Sequence, residues 1–102
     1  MNDKELLELA AKAAGIEFSG IAQPEGLWRN EFEIYWTPLT DDGDALRLAV
    51  KLDLHILRFT NKTTVKASTW IDSFDERDDV DPYAATRRAI VRAAAEIGKE
   101  KK

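Results

Sequence analysis

The alternation of apolar and polar residues predicts three helices along the chain. In residues 3–14 the apolar residues recur at helical spacing and form one stripe, which consists of Leu6, Leu9, Ala10, Ala13 and Ala14. Asn2 is suited to capping the start of this helix, and Glu5 stands three positions later as a capping-box partner. Gly15 is suited to ending it, because glycine readily adopts the left-handed conformation.

The second predicted helix covers residues 42–52, after Pro38 has ended the preceding strand. Asp41 is its predicted N-cap. Its apolar positions are expected on the buried side, and they are Leu46, Ala49, Val50 and Leu52. Arg47 and Lys51 are expected on the exposed edge.

Asp81 is the predicted N-cap of the third helix, and Pro82 stands at its first position, where the missing N–H of proline costs little. The helix is expected to run to about Ile97 and to stop at Gly98. Its apolar stripe consists of Tyr83, Ile90, Ala94 and Ile97. Residues 99–102 are expected to form a charged tail.

Strand patterns occupy the middle of the chain. Residues 31–36 alternate, so that Phe32, Ile34 and Trp36 share one face of a half-buried strand. Residues 54–60 and 64–72 are β-rich and flank a short Asn-containing turn, which predicts a hairpin. Two further segments are predicted to be irregular. They are an ordered loop with room for a short strand at 16–30 and an acidic surface loop at 73–82.

These elements predict the α+β fold class, with helices and strands in the order α-β-α-β-β-α. An antiparallel sheet of about three strands would cover the apolar stripes of all three helices. The chain has 102 residues, 44% of them apolar and 33% charged, which is typical of one globular domain. We expect this domain to span residues 1–98.

Composition and terminal pattern exclude several classes of protein. The chain has no Cys, which excludes disulfides and thiolate chemistry. Its start lacks the uninterrupted apolar core of a signal peptide, and no stretch is apolar enough to span a membrane. The net charge of −4 argues against a general affinity for phosphate backbones. A cytoplasmic protein without a membrane partner is expected.

No catalytic constellation is apparent in the sequence. His55 is the single histidine, and it lies in a predicted strand. Ser19, Ser68 and Ser73 lack the G-x-S-x-G context that activates a serine nucleophile, and there is no Gly-rich phosphate loop. We therefore predict that the protein is not an enzyme, has no catalytic residues and needs no cofactor.

The acidic turn at residues 41–44 has two interpretations. Asp41, Asp42 and Asp44 are well placed to accept backbone N–H groups at the start of the second helix. They could instead hold a divalent cation, but the D-D-G-D spacing lacks the alternating ligands and distal Glu of a calcium loop. Helix capping is favoured, so no metal site is predicted, and the turn remains a candidate contact surface.

Two other groups of residues are candidates for binding. Trp70 shares a predicted strand face with polar residues, and is either an exposed contact anchor or packed beneath the acidic loop. Arg87, Arg88 and Arg92 either form a phosphate-binding edge or a solvated face that balances the acidic loop. The second interpretation of the arginines is favoured, because no stacking platform or nucleic-acid motif accompanies them.

The segments "WTPLTDDGDALRLAVKL" and "DPYAATRRAIVRAAAEIGK" together resemble a family of small uncharacterised proteins of tailed bacteriophages and prophages. They cover about a third of the chain. The family often has Asn before the Pro and Gly after "KL", where this chain has Thr37 and Asp53. The resemblance implies an α/β sandwich and a phage-encoded protein in a bacterial host cell, but no activity or cofactor.

Together, these observations predict a non-enzymatic accessory protein that binds a host or phage protein in the bacterial cytoplasm. The alternative prediction is a nucleic-acid-binding protein that uses the basic face of the last helix. Segregated charge and an exposed Trp would also permit a homodimer.

Overall fold

The chain folds into three helices and two small antiparallel sheets within residues 2–18, 26–29, 34–67, 74–77 and 81–101, which the computed structural model describes. The elements in chain order are α1 (Asp3–Ala14), β1 (Leu27–Arg29), β2 (Ile34–Trp36), α2 (Asp42–Lys51), β3 (Leu54–Arg58), β4 (Lys62–Ala67), β5 (Phe74–Arg77) and α3 (Pro82–Glu100). The predicted α+β class is confirmed.

The helix boundaries at the N-terminal ends follow local side-chain chemistry. Asn2, Asp41 and Asp81 are the N-caps of the three helices, and each side chain accepts hydrogen bonds from backbone N–H groups of the first turn. Gly15 ends α1 with a φ of 69°, in the left-handed region that glycine tolerates. All four of these predictions are confirmed.

The larger sheet has the strand order β3-β4-β5, and α3 packs on one of its faces. Strands β3 and β4 form the predicted hairpin. Strand β5 lies within the segment predicted to be a surface loop, so that prediction is wrong for residues 74–77. The reason is that Glu76 bonds to Arg92 of α3, which allows an acid-rich segment to form a strand against a helix.

The smaller sheet consists of β1 and β2, with Leu27 opposite Trp36. Both of these side chains are buried in the core, whereas Trp28 and Tyr35, on the other face, meet edge to face with ring centroids 4.9 Å apart. Trp36 therefore takes the inward position that the alternation predicts. A single sheet had been expected. Among the described strands, β2 instead pairs with β1 and does not join the larger sheet.

Helices α1 and α3 run in the same direction and approach each other closely. Asp3 lies near Arg88 at one end, and Lys101 donates to the carbonyl of Ala13 at the other, over 3.1 Å. Gly98 does not stop α3, which continues to Glu100, so the predicted end is wrong. A Cβ at residue 98 would lie 2.0 Å from the carbonyl oxygen of Leu9, which shows that glycine is present for close packing.

The buried face of α2 differs from the prediction. Ala49 is buried as expected, but the other buried residues are Ala45 and Leu48. Leu46 and Val50 are 59% and 67% exposed. Helix α2 has more apolar positions than its narrow contact with α3 and β3 can cover, so one apolar edge remains outside the core.

Candidate binding groove

A groove with a volume of about 500 Å³ lies between α2, β3 and the first turns of α3. The lining residues come from all three elements and are Asp42, Ala45, Leu46, Ile56, Arg58, Pro82, Tyr83, Thr86, Arg87 and Ile90. Concave, mostly apolar surfaces of this size, with a few polar groups, are typical of binding sites. This groove is therefore the candidate functional site.

The groove has a buried apolar floor and exposed apolar walls. Ala45 and Ile90 belong to the core, and Ile56 is half-buried. Leu46 forms one wall from α2. Tyr83 forms another from α3 and is 68% exposed, although the helical pattern had placed it on the buried stripe. Large apolar groups that are left in water beside a concave floor are suited to contact with another molecule.

A chain of hydroxyl groups holds β3, β4 and α3 together behind the groove. Thr86 donates from its hydroxyl to the carbonyl of Pro82 over 2.8 Å, so the hydrogen bond of 2.8 Å between Thr63 and Thr86 must be donated by Thr63. Thr63 is fully buried and also accepts a hydrogen bond from the guanidinium of Arg58. Because these hydrogen bonds satisfy the hydroxyl groups, the groups can lie beside an apolar floor.

Arg87 fixes the opposite side of the groove. Its Nε donates to the carbonyl oxygen of Leu39 over 2.9 Å, and its Nη1 lies 2.6 Å from Asp42. The Arg87 side chain is only 15% exposed. The residue therefore joins α3 to the first turn of α2, which sets the distance between the two helical walls.

The carboxylates of the acidic turn contact other groups of the chain, and two of them, Asp41 and Asp44, approach Arg47. Asp41 accepts from the backbone N–H of Asp44 over 2.8 Å. Asp44 accepts from the backbone N–H of Thr37 over 2.9 Å and forms a salt bridge with Arg47. The hydrogen bond that Arg47 donates to Asp44, and next the negative charge of Asp44, raise the pKa of the Arg47 guanidinium. Of the three carboxylates, Asp41 caps the helix as the capping interpretation predicts, whereas Asp44 binds the N–H of Thr37 before the helix and Asp42 pairs with Arg87.

The other two arginines of α3 also meet carboxylates from distant segments. Arg88 lies 3.0 Å from Asp3 at the start of α1, and Arg92 pairs with Glu76 of β5. Any phosphate that bound these guanidinium groups would therefore compete with carboxylates of the same chain. The sequence shows that the arginines are clustered, but it does not show that their carboxylate partners lie on α2, α1 and β5.

Of the other candidates, Trp70 lies outside the described residues. His55 is exposed on β3 and does not line the groove. Among the described residues, no three His, Cys, Asp or Glu side chains are grouped so that they could hold a metal ion. None of the described helices combines the length and apolar character needed to cross a membrane.

Sequence reasoning missed the three residues that shape the groove most, which are Leu46, Ile56 and Tyr83. One signal was available for Leu46. The segment "ALRLAV" has five apolar residues among six, which is more than a single stripe can bury, so part of it had to face outward.

The fold and groove define an α+β protein with an open apolar cleft at the edge of its main sheet. Comparisons of this chain with models of protein families, with curated protein sequences and with solved structures find no match.

Proposed function

We propose that the protein is a non-enzymatic binding module whose groove between α2, β3 and α3 receives part of a partner protein. The observation that supports this most directly is the exposure of Leu46 and Tyr83 on either side of a half-buried apolar floor. Burying such groups is favourable by about 25 cal/mol for each Å² of apolar surface, and aromatic residues are common among binding hot spots.

The resemblance to phage and prophage proteins supports a setting for this function. We propose that the partner is a host or phage protein in the bacterial cytoplasm. The groove adds a location to that proposal, and Asp42 of the acidic turn is one of its lining residues. The acidic carboxylates contribute to the proposed site indirectly, through the contact between Asp42 and Arg87.

Site-specific cross-linking in the bacterial cell tests the proposal. A photoreactive phenylalanine analogue replaces Tyr83 in one variant and Tyr35, which is exposed on the smaller sheet, in a matched control. We expect a discrete protein adduct from position 83 that is absent from position 35. Leu46→Asp should abolish the adduct, whereas Leu57→Asp, at an exposed position outside the groove, should leave it unchanged.

The substituted residues are exposed, so we expect the variants to keep the fold, as judged by circular dichroism. Equal adducts from positions 83 and 35, or an adduct that persists in Leu46→Asp, would refute the assignment of this groove.

A further inference from the structure

The charged side chains of the groove already form contacts within the chain. Among the described lining residues, the charged ones are Asp42, Arg58 and Arg87. Arg87 lies 2.6 Å from Asp42 and also donates to a backbone carbonyl oxygen over 2.9 Å. Arg58 donates to the buried hydroxyl of Thr63. A charged occupant would therefore have to compete with these contacts, or leave some of them imperfectly paired.

The helix N-termini at the groove also hold carboxylates of the chain. Helices α2 and α3 both begin beside the groove, and the N–H groups at the start of a helix commonly bind phosphate or carboxylate ligands. In α2, Asp41 accepts from the N–H of Asp44 over 2.8 Å. In α3, Asp81 accepts from the N–H groups of Tyr83 and Ala84 over 2.9 and 3.2 Å. An external anion would have to displace these caps.

The surface that the groove offers to another molecule is apolar. Leu46 and Tyr83 are exposed on its walls, Ile56 is half-buried, and Ala45 and Ile90 belong to the core beneath them. A large apolar side chain that entered the groove would remove its own surface and these walls from water, which is favourable in proportion to the apolar area buried. This gain requires no charge on the occupant.

We infer that the groove receives an uncharged, apolar side chain of the partner protein and excludes phosphate and carboxylate groups. The side chain packs between Leu46 and Tyr83 and over Ile56, while Asp42, Arg58 and Arg87 keep their contacts within the chain. Affinity then depends on apolar area and only weakly on salt. This inference rests on the proposed function of the groove and specifies the chemistry of its occupant.

Titration of the ¹⁵N-labelled full chain with small probes tests the inference. The probes are the N-acetyl amides of phenylalanine, glutamate and lysine, together with inorganic phosphate. The phenylalanine probe should shift the amide resonances of Leu46, Ile56 and Ile90 in a saturable manner at millimolar concentrations, as expected for a ligand of this size. It should bind at least about tenfold more tightly than either charged amide, and phosphate should leave these resonances unchanged.

Salt and two variants of one wall residue complete the test. The affinity for the phenylalanine probe should change by less than about twofold between roughly 0.05 M and 0.5 M sodium chloride, because no ion pair with the probe is screened. Tyr83→Ala removes an apolar wall and should weaken the probe at least about fivefold, whereas Tyr83→Phe keeps the ring and should bind it normally. Both changes are at an exposed position, so the fold should persist.

The outcomes distinguish this inference from the function on which it rests. Tighter binding of the glutamate probe or of phosphate, equal affinities for the three amides, or a steep loss of affinity with salt would refute it and leave the groove as a binding site. Absence of groove shifts with about 10 mM phenylalanine probe, in a protein that still gives an adduct at position 83, would overturn the inference alone. Absence of both the shifts and the adduct would overturn the proposed function as well.

Discussion

Replacing Gly98 with alanine should destabilise the protein, although the same change stabilises most helices. Alanine is favoured over glycine inside a helix by about 1 kcal/mol. At residue 98, however, the new Cβ would lie 2.0 Å from the carbonyl oxygen and 2.7 Å from the carbonyl carbon of Leu9. These are backbone atoms of α1, so no side-chain rotation can relieve the overlap.

The size of the effect follows from the displacement that the overlap demands. A Cβ in ordinary van der Waals contact lies at least 3.4 Å from its neighbour, so the 2.0 Å separation between the new Cβ and the Leu9 oxygen must increase by about 1.4 Å. A gap of 0.5–1 Å already removes roughly a quarter to a half of the dispersion energy of each contact across an interface. Such overpacking costs typically about 1–3 kcal/mol, and sometimes more. Because the overlap involves backbone atoms of α1, we place the cost at the upper end of this range, about 3 kcal/mol. The gain of about 1 kcal/mol in helix propensity leaves a net loss of about 2 kcal/mol, which lowers the Tm by roughly 10 °C.

Gly43→Ala is the matched control. Gly43 lies in the first turn of α2, and its added Cβ would meet the side-chain ends of Arg47 and Asp41 at 3.2 Å. These side chains need to shift by only a few tenths of an ångström, and the Asp41 oxygen also caps the helix, so this variant should change the stability by no more than about 1 kcal/mol in either direction. Denaturation in guanidinium chloride, followed by tryptophan fluorescence and circular dichroism, measures both variants. If Gly98→Ala were as stable as Gly43→Ala, the close approach of α1 and α3 would be wrong.

Three further predictions concern the hydroxyl chain, the turn before β3 and the basic residues. Thr63→Val should lower the free energy of unfolding by about 1–2 kcal/mol, measured by denaturation, because it removes the buried hydroxyl that bonds to both Thr86 and Arg58. An unchanged stability would show that the chain of hydroxyl groups contributes nothing. Asp53→Gly should raise the free energy of unfolding by up to about 1 kcal/mol, whereas Asp53→Val should lower it. The reason is that Asp53 has a φ of 54°, in the left-handed region that glycine tolerates and valine does not. A stabilising valine would contradict this reasoning. Because the three arginines of α3 face carboxylates, titrations at low salt should show only weak binding of DNA and RNA. The affinity for nucleic acid should rise when Asp3, Asp42 and Glu76 are replaced by their amides. Tight, steeply salt-dependent binding by the unmodified protein would favour the nucleic-acid alternative.

The sequence predicted those features that depend on a few neighbouring residues. The three N-caps and the left-handed Gly15 follow from side-chain chemistry within one turn, so the pattern alone was sufficient. The inward position of Trp36 follows from alternation along a strand. The class of fold follows from the sum of such local signals.

Features that depend on distant partners were predicted less well. Gly98 has the usual sign of a helix end, and only the proximity of Leu9 explains why the helix continues through it. The strand at 74–77 contains three charged residues, and Glu76 becomes compatible with packing against α3 only because Arg92 is there. The groove was missed for the same reason, since the exposure of Leu46 depends on where α3 and β3 leave α2 uncovered.

The groove also shows how acidic and basic residues that are separated along the chain come together in the fold. Read along the sequence, the arginines of α3 form a basic edge, and the aspartates of residues 41–44 form an acidic turn. In the fold, Arg87 and Asp42 lie 2.6 Å apart and join the two helices that wall the groove. Under the proposed function, this pair would help to hold the apolar walls of the groove apart. The residues that would contact a partner are then the apolar ones between these polar contacts, Leu46, Ile56 and Tyr83.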